Sequence, residues 1–499
     1  MYYHSTRDNS RRVSSAQAIV SGLAPDGGLY VPEYLPQFTP ADIAALADMD
    51  YPSLVANVLA RYLDDYTVEE LHGFAEKAYS RDKFDAETPA PTVALSDNEY
   101  LLELFHGPTC AFKDFALQLL PFLLSAALRK TGETREAAIL VATSGDTGKA
   151  ALEGFAGVPG TRICVFYPDG GTSRIQRLQM TTQSGDNVMV YAVKGNFDDT
   201  QNGVKRIFTD KAFAAEASAR NVLFSSANSI NLGRLVPQIA YYFQAYCSLV
   251  KRGRIKPGDR LDIVVPTGNF GNILAAYYAK HSGLPLGRLV CASNKNNVLT
   301  DFINTGRYDR KREFYLTASP SMDILISSNL ERLLYLLCGG DDKKLSGFMS
   351  SLARDGEYTI DNDMLAKLRG EFAAGCADDE RTLATIRDTF EQTGYLLDTH
   401  TAVAVAVYND YVRSNGGGVP TVIVSTASPF KFAGSVLTAL GKRRPGHEYD
   451  DFELLEALEK ASGRKAPAAL SGLREKLERF TGVIPADGMR AAVSDWLDS

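Results

Sequence analysis

The sequence lacks the features that mark several large classes of protein. Its 499 residues include six cysteines, all scattered singly without a CxxC pair, so neither a zinc cage nor a disulfide framework is indicated. The first residues, MYYHSTRDNSRR, carry charge before any apolar run, so we expect no secretory signal. The expected location is therefore a reducing cytoplasm.

Long apolar runs and an excess of positive charge are also missing. The longest uncharged stretches, 115–128 and 235–250, are shorter than the roughly 18 residues of a membrane span and contain Gln and Pro, which favours buried helices. The net charge of −7 argues against a protein that binds the nucleic-acid backbone. We therefore expect no membrane, nucleic acid or metal partner, while a local basic pocket for a small anion stays compatible with this charge.

What the sequence does contain is an alternation of short β-branched runs with helical patterns. The runs lie at 137–143, 161–168, 187–193, 261–269 and 420–428, and the third is followed by a helix predicted around 198–219. This alternation predicts an α/β fold with a mostly parallel sheet. Because open α/β sheets bind ligands beyond the carboxyl ends of their strands, we expect the functional residues in the loops there.

The flanks of this alternation have a different pattern. Residues 1–90 combine helical periodicity with Pro, which predicts an N-terminal domain. The catalytic core is predicted over 91–440, with a helical insertion at about 329–396, and a charged C-terminal helical cap over 441–499. These boundaries are predictions from composition and periodicity.

The first motif that could carry chemistry is LFHGPTCAFKDFALQ at 104–118. Lys113 opens an apolar helix, where burial and the helix dipole both lower the pKa of an ammonium. A lysine that loses its proton easily suits Schiff-base chemistry, whereas the ordinary alternative is a surface lysine at a helix start. His106 and Cys110 nearby are expected to be packing residues.

The second motif is VATSGDTGKAALEGF at 141–155, in which a strand, a turn and a helix from about Lys149 are predicted. The amides of that helix start, with the hydroxyls of Ser144 and Thr147, form a cradle suited to a carboxylate. The alternative is a simple N-cap by Asp146 or Thr147.

The third motif is IVVPTGNFGNILAAYY at 263–278, which matches neither the GxGxxG nor the Walker pattern. Gly268 and Gly271 allow close approach of the backbone, and the amides of Asn269, Phe270 and Asn272 can face a phosphate monoester. A purely structural turn between strand and helix is the alternative.

The fourth motif is VIVSTASPFKF at 422–432, where Ser425, Thr426 and Ser428 follow a strand. Such hydroxyls can hydrogen-bond a heteroaromatic ring nitrogen, although local capping of a turn is the more usual role of these residues taken alone. Together the four motifs offer a lysine, a carboxylate cradle, a phosphate cradle and a hydroxyl. Pyridoxal phosphate, with its aldehyde, phosphate and ring nitrogen, and an amino-acid substrate match this set.

The chain resembles, almost from end to end, the threonine synthases. These are pyridoxal-phosphate enzymes with the tryptophan-synthase-β fold (fold type II). The resemblance rests on YHSTR (3–7), GLAPDGGLYVP (22–32), HGPTCAFKD (106–114), TSGDTG (143–148), KGNFDD (194–199), NSINLGRLVPQIAYY (228–242), PTGNFGN (266–272) and STASPFKF (425–432). It implies two open, mostly parallel sheets flanked by helices. Two departures from the usual motifs, Ser428 in place of His and Lys149 in place of a small residue or Pro, concern the mouth of the site.

The resemblance also implies roles for individual residues. Lys113 is implied as the catalytic residue that holds the cofactor. The cofactor-binding set is Lys113, Phe112, Gly268, Asn269, Phe270, Gly271, Asn272 and Thr426, where Thr426 meets the pyridine nitrogen. The substrate-binding set is Thr143, Ser144, Gly145, Asp146, Thr147, Ser173, Arg174 and Asn228, with Lys149 and Arg234 as further candidates for the substrate phosphate.

The implied reaction converts O-phospho-L-homoserine and water to L-threonine and phosphate. Two kinds of alternative stay open. A serine/threonine dehydratase or a cysteine-synthase-like enzyme would share Lys113 and the phosphate loop but would have no use for a second phosphate pocket. A non-catalytic relative could retain the fold, although the intact Lys113 argues against it.

Overall fold

The computed structural model describes residues 1–143, 145–170, 172–444 and 446–498, without the side chains of Phe197 and Asp198. The N-terminal part is a two-stranded antiparallel ribbon with four helices. Its elements are β1 (Tyr3–Ser5), α1 (Ser15–Ser21), β2 (Tyr30–Pro32), α2 (Pro40–Leu46), α3 (Tyr51–Ala60) and α4 (Val68–Ala78). Capping boxes start three of them, with Ser14 and Gln17 at α1, Thr39 and Asp42 at α2, and Thr67 and Glu70 at α4.

The next stretch of chain holds most of the smaller sheet. Its elements are β3 (Thr92–Ala94), β4 (Glu99–Glu103), α5 (Lys113–Leu117), α6 (Leu120–Lys130), β5 (Glu136–Ala142), α7 (Asp146–Phe155), β6 (Thr161–Pro168), α8 (Arg174–Thr181), β7 (Val188–Lys194), α9 (Phe197–Thr209), α10 (Lys211–Ala219), β8 (Val222–Ser225), α11 (Leu232–Leu235) and α12 (Pro237–Lys251).

The rest of the chain builds the larger sheet and the tail. Its elements are β9 (Leu261–Pro266), α13 (Gly271–His281), β10 (Leu286–Ser293), α14 (Val298–Thr305), β11 (Arg307–Asp309), α15 (Leu330–Leu337), α16 (Asp342–Asp355), β12 (Glu357–Thr359), α17 (Asn362–Glu371), β13 (Phe372–Cys376), α18 (Asp379–Thr393), α19 (Thr399–Asn415), β14 (Thr421–Ser425), α20 (Ala433–Ala439), α21 (Asp451–Ser462), α22 (Ala468–Ser471), β15 (Val483–Pro485) and α23 (Met489–Asp498). Short 3-10 turns cover Pro320–Met322, Pro429–Phe432, Gly472–Glu475 and Ala486–Gly488.

Two open sheets form the centre of the molecule. The larger has the order β13-β10-β9-β14-β4-β3, in which only β3 runs antiparallel to its neighbour. The smaller has the order β15-β7-β6-β5-β8 and is entirely parallel. The predicted α/β architecture of two mostly parallel sheets flanked by helices is therefore confirmed.

The strands are buried on both faces, as their uniform apolar sequences predict. In β5, Ile139 and Val141 belong to the main core, while Ala138 and Leu140 pack beneath α9, α10 and α23. The second face of the larger sheet packs against helices including α19 and α20. Both sheets are therefore rigid layers that can fix the loops at their strand ends.

Three helices differ from the sequence predictions. The second motif starts its helix at Asp146 and not near Lys149, because Gly145, with a φ of 150°, makes the turn directly before it. The helix predicted at 198–219 is divided where Asp210 accepts a hydrogen bond from the Phe213 amide and caps α10. The apolar run after Lys113 is also divided, because Pro121 has no amide to donate to Leu117.

The segment 329–396 is more than the helical insertion that its sequence predicts. It contributes β13, an edge strand that pairs in parallel with β10 in the larger sheet. The C-terminal segment 441–499 likewise contributes β15, which pairs with β7 at the edge of the smaller sheet. Within the described ranges, no helix is both long and apolar enough to cross a membrane.

Candidate active site

The loop before Lys113 lies beside the end of β14. The amide of Phe112 donates to the Thr426 carbonyl at 2.9 Å, and the amide of Ser428 donates to the Cys110 carbonyl at 3.1 Å. Cys110 takes a left-handed φ of 57° in this turn. This pairing brings the first and fourth sequence motifs together at the carboxyl edge of the larger sheet.

Lys113 is the first residue of α5, as predicted, and its side chain is only 11% exposed. Burial lowers the pKa of Lys113, Asp146 acts against this effect, and the positive charges of Lys431 and Arg234 lower the pKa further. The ammonium also lies 4.9 Å from the centre of the Phe112 ring. Lys113 is therefore a buried amine that loses its proton more easily than a surface lysine.

The Asp146 carboxylate joins the second motif to this lysine. Its Oδ2 lies 3.6 Å from Lys113 Nζ, while its Oδ1 lies 2.7 Å from Lys431 Nζ and accepts a 3.1 Å hydrogen bond from Gln176 Nε2. Burial alone would raise the pKa of Asp146, but the two lysines hold it well below its usual value. Asp146 is thus an ionised bridge between loops of the two sheets.

The rest of the second motif forms a tight turn at the end of β5. The Thr143 hydroxyl accepts hydrogen bonds from the amides of Gly145 and Gly148, both at 3.0 Å. Asp146 and Thr147 occupy the first turn of α7, where a helix offers no carbonyl to their amides, so these donors are available to an anion. Ser144, predicted to bind substrate, lies outside the described residues.

The third motif forms a second anion cradle at the end of β9. Phe270 takes a left-handed φ of 61° and α13 begins at Gly271, so the loop turns directly into a helix N-terminus. A Cβ on Gly268 would lie 2.8 Å from the Ser321 carbonyl, and therefore only glycine fits there. Asn269 is exposed, and its carbonyl accepts two hydrogen bonds from Asn329.

Asn272 supplies a direct test of whether a phosphate fits this cradle. Its side chain is buried, and its Oδ1 accepts hydrogen bonds from the hydroxyls of Tyr241 and Tyr242. Its Nδ2 has no partner among the described residues. A buried donor left without an acceptor at a helix start is what a bound phosphate would satisfy.

The fourth motif presents one free hydroxyl. Ser425 Oγ lies 3.1 Å from the Thr401 hydroxyl, on the side of α19. Thr426 is buried, and its hydroxyl has no hydrogen bond within the described part of the chain. Ser425, the last residue of β14, is engaged by Thr401, so Thr426 directly after the strand, the residue chosen on family resemblance, has a hydroxyl to offer.

Arg234 is a buried cation close to Lys113. Its Nη1 donates to the Ala227 carbonyl at 2.6 Å, its Nε has no partner, and no carboxylate pairs with it in the described ranges. Burial lowers the pKa of Arg234 to about 10. Asn228, at the start of the same motif, is half-buried.

Three other predicted residues make no direct polar contact with Lys113, Asp146 or Arg234 in the described ranges, although Ser173 accepts a hydrogen bond from the Gln176 amide. Ser173 is exposed and caps α8, and Arg174 is exposed with its guanidinium 5.6 Å from the Phe452 ring. Lys149 is tied to Glu153 and Gln183. Cys110 is buried, and burial raises the pKa of its thiol to about 12. The His106 ring lies between the carboxylates of Asp85 and Glu103, contacts that its predicted packing role does not include.

The sequence predictions missed Lys431 and Gln176. Lys431 stands between two phenylalanines directly after a buried strand, in the FKF of the fourth motif. The two flanking aromatic residues were the available signal of burial, although a lysine is almost never fully buried unless it is paired. Gln176 carries no local signal, because α8 reaches Asp146 only through the packing of helices on the smaller sheet.

Three family models match the chain in order. They describe the threonine synthase N terminus over residues 2–79, a pyridoxal-phosphate dependent enzyme over 84–427, and the threonine synthase C-terminal region over 401–493. The second model spans more than half of the chain. The chain belongs to the threonine synthase family. This membership confirms the predicted cofactor, pyridoxal phosphate.

Individual members of the family are similar over most of the chain. The threonine synthase of Pseudomonas aeruginosa is 39% identical over 489 residues, which cover 97% of this chain and 96% of that protein. Human threonine synthase-like 1 is 40% identical over 446 residues, which cover 87% of this chain and 59% of the human protein. This chain therefore spans about three fifths of the length of its human relative.

Solved structures of the family share the fold. The pyridoxal-phosphate-bound threonine synthase from Brucella melitensis has a TM-score of 0.87 and 38% identity, covering 100% of this chain and 98% of its own. The yeast threonine synthase has a TM-score of 0.87 and 32% identity, covering 100% and 99%. The fold of this chain is that of the pyridoxal-phosphate-dependent threonine synthases.

Proposed function

We propose that this protein converts O-phospho-L-homoserine and water to L-threonine and phosphate, with pyridoxal phosphate attached at Lys113. The observation that carries the proposal is Arg234, a buried cation near Lys113 that has an unpartnered Nε and no carboxylate partner in the described ranges. A buried charge of this kind is costly unless a ligand pairs with it. The phosphate of the substrate provides that partner.

The cofactor, when bound, supplies an aldehyde that takes an amine and a ring that withdraws electrons from the α-carbon. Its phosphate has a place at the start of α13, among the amides of Asn269 to Asn272. Thr426 offers a neutral hydroxyl to the ring nitrogen. Because a hydroxyl does not hold that nitrogen protonated as an Asp would, elimination at the side chain is favoured over transamination.

Lys113 Nζ is the base of this proposal. It takes the proton from the α-carbon of the substrate and moves a proton from Cβ to Cγ. The Cγ–O bond breaks as phosphate leaves with the electron pair, and the proton taken from Cβ is then delivered to Cγ. Water gives its hydroxyl to Cβ and its remaining proton to the released phosphate, and Lys113 Nζ returns a proton to the α-carbon. The amides of Asp146 and Thr147 hold the substrate carboxylate, while Arg234 and Asn228 hold the phosphate.

The charge distribution favours the Arg234 site over the site predicted at Arg174. Arg234 is buried and its charge acts on Lys113, whereas Arg174 is exposed with its guanidinium over the Phe452 ring. Ion pairs in low dielectric are worth more than those on the surface. A cytoplasmic location belongs to the same proposal, and the six unpaired cysteines agree with it.

The substrate assignment is tested by comparing O-phospho-L-homoserine with L-serine and L-threonine, with phosphate, threonine and oxo acids all measured. We expect phosphate and threonine in equal amounts from the first substrate. The Arg234→Met variant is expected to lower kcat/KM for it by about 100-fold or more, the cost of leaving a buried charged contact unmade. Arg260→Met, an exposed arginine at the opposite end of β9, is the matched control. Oxo acid formed from serine, with no phosphate released from O-phospho-L-homoserine, would identify a dehydratase.

A further inference from the structure

Lys431 is a second buried lysine of the site, and no step of the proposed reaction uses it. It lies in the 3-10 turn Pro429–Phe432 that follows β14, and its side chain is 1% exposed. Its ammonium lies 2.7 Å from Asp146 Oδ1 and donates to the Thr109 carbonyl at 2.9 Å. Lys431 therefore ties the fourth motif to both the second motif and the loop before Lys113.

The Asp146 carboxylate is shared unequally between the two lysines. Its Oδ1 is saturated by the close contacts of Lys431 and Gln176, and only Oδ2 faces Lys113, at 3.6 Å. This separation is beyond an ordinary hydrogen bond. Lys431 thus holds the tight ion pair, and Lys113 is left with a loose one.

The other charged groups around Lys113 do not replace this counter-ion. Arg234 adds a further positive charge from α11. Asp114, the neighbouring carboxylate, is turned toward Thr109, whose amide and hydroxyl donate to it at 2.9 and 2.7 Å. Burial raises the pKa of Asp114 to about 6, so it is also a weaker anion than Asp146. Two lysines therefore share one strongly ionised carboxylate, and Arg234 adds to the positive charge around Lys113.

We propose that Lys431 is a positioning residue that occupies the Asp146 carboxylate, so that Lys113 has no tight counter-ion and gives up its proton readily. The inference rests on the proposed function, in which Lys113 Nζ carries the cofactor and acts as the base. A neutral amine is required for both tasks. Without Lys431, the Asp146 carboxylate would pair closely with Lys113 and stabilise its charged form.

The test measures the protonation of Lys113 by its reactivity. The full-length chain is freed of cofactor, pyridoxal phosphate is added between pH 6 and 10, and the attached cofactor is fixed with borohydride and located by peptide mass. In Lys431→Met, the pH midpoint of the attachment rate is expected to rise by about one unit or more, with a roughly tenfold slower rate at pH 7. Lys431→Arg keeps the charge and is expected to keep the wild-type midpoint.

A second variant covers the case in which Lys431→Met does not fold. Asp146→Asn removes the carboxylate and leaves Lys431 in place, so the midpoint is expected to fall below that of the wild type. Thermal unfolding of each variant shows whether it is folded. A folded Lys431→Met with the wild-type midpoint, or an Asp146→Asn with an unchanged or higher one, would show that Lys431 only packs the loops. Failure of the wild type to attach cofactor at Lys113 would instead overturn the proposed function.

Discussion

The imidazole of His106 lies between two carboxylates at the entrance to the lysine motif. Its Nδ1 is 2.7 Å from Asp85 and its Nε2 is 2.9 Å from Glu103, which also accepts a 2.6 Å hydrogen bond from the Tyr395 hydroxyl. Burial alone would lower the pKa of His106, but the two carboxylates raise it to about 9. His106 is therefore charged at neutral pH and links three segments of the chain.

This pair of contacts predicts a pH-dependent stability. A histidine whose pKa is raised on folding stabilises the native state fully below its unfolded pKa of about 6.5, and the contribution is lost as the pH rises through 9. The free energy of unfolding in urea should fall by roughly 2 kcal/mol in His106→Asn at pH 6. This difference should shrink at pH 10.

The matched control is His72→Asn, whose ring lies 3.5 Å from Glu76 on the face of α4. Because this contact is more exposed than the His106–Glu103 contact, its removal should cost less stability at pH 6 than His106→Asn does. An equal loss of stability in His106→Asn at pH 6 and pH 10 would show that the contacts of His106 act only by packing.

Individual site residues could be predicted where a local pattern fixes their place. Lys113 follows a turn that the sequence marks clearly, whereas Thr426 was preferred to Ser425 on family resemblance. The structure pairs the Phe112 amide, next to Lys113, with the Thr426 carbonyl. Arg234 and Lys431 were harder, because their burial depends on helices and loops that meet only in the folded chain. Arg174 was predicted to bind the substrate phosphate because its position after a strand can be read from the local sequence. Its exposure cannot be read there, since it depends on the folded chain.

At the scale of elements, the start of α19 connects the two proposed cofactor anchors. Asp398 caps this helix, accepts hydrogen bonds from the amide and Nδ1 of His400, and binds the Thr401 hydroxyl. Thr401 reaches Ser425 beside Thr426, and His400 Nε2 accepts the Ser321 amide at 3.2 Å. One helix N-terminus therefore sets the spacing between the hydroxyl of the fourth motif and the phosphate loop.

Replacing Asp398 with Asn should disturb both anchors at once. The amide keeps the size of the side chain but loses one acceptor oxygen and its charge, so His400 and Thr401 are not both satisfied. We expect a loss of about 1–2 kcal/mol in unfolding free energy and weaker binding of pyridoxal phosphate, measured by titration of its absorbance. Asp378→Asn, an exposed cap on α18, should cost stability without weakening the cofactor. Unchanged cofactor affinity in Asp398→Asn would contradict the link.

The strands were the elements that the sequence predicted best, because their apolar runs are buried on both faces and leave little freedom of assignment. Helix boundaries were predicted less well. The break between α5 and α6 coincides with the contact of Gly154 on the Leu117 carbonyl, where a Cβ would lie 1.9 Å away. Such an approach of one helix to the backbone of another has no signature within either segment.

At the scale of the whole molecule, Arg332 joins parts of the chain that are distant in sequence. It is fully buried, and it donates to the carbonyls of Tyr30 and Ile230 and to the Asn329 side chain. Asn329 in turn holds the Asn269 carbonyl in the phosphate loop. The N-terminal ribbon, the segment before α11 and the proposed phosphate cradle are therefore connected through one guanidinium.

Arg332→Met should destabilise the whole chain. It leaves three buried acceptors without donors, at a cost of about 3 kcal/mol or more in the free energy of unfolding. Urea unfolding followed by circular dichroism measures this loss. Arg354→Met, an exposed arginine on α16, should change stability by less than about 0.5 kcal/mol. Equal stability of the two variants would show that Arg332 does not join these regions.

The net charge of −7 also bears on how the whole molecule binds anions. The overall field repels anions, so the molecule presents helix N-termini and a few buried cations at the carboxyl edges of its sheets. The sequence indicated these cradles from turns and glycines. It did not indicate which loops of the two sheets would meet, because that depends on how the sheets pack.

The most direct test of the central claim compares the wild type with Lys113→Ala for bound cofactor absorbance and for phosphate release from O-phospho-L-homoserine. The wild-type protein is expected to be yellow and to release phosphate together with threonine. Borohydride is expected to fix its cofactor at Lys113. Lys113→Ala should lose the covalent attachment and reduce turnover by about 1000-fold or more. Retention of both properties in Lys113→Ala would contradict the account.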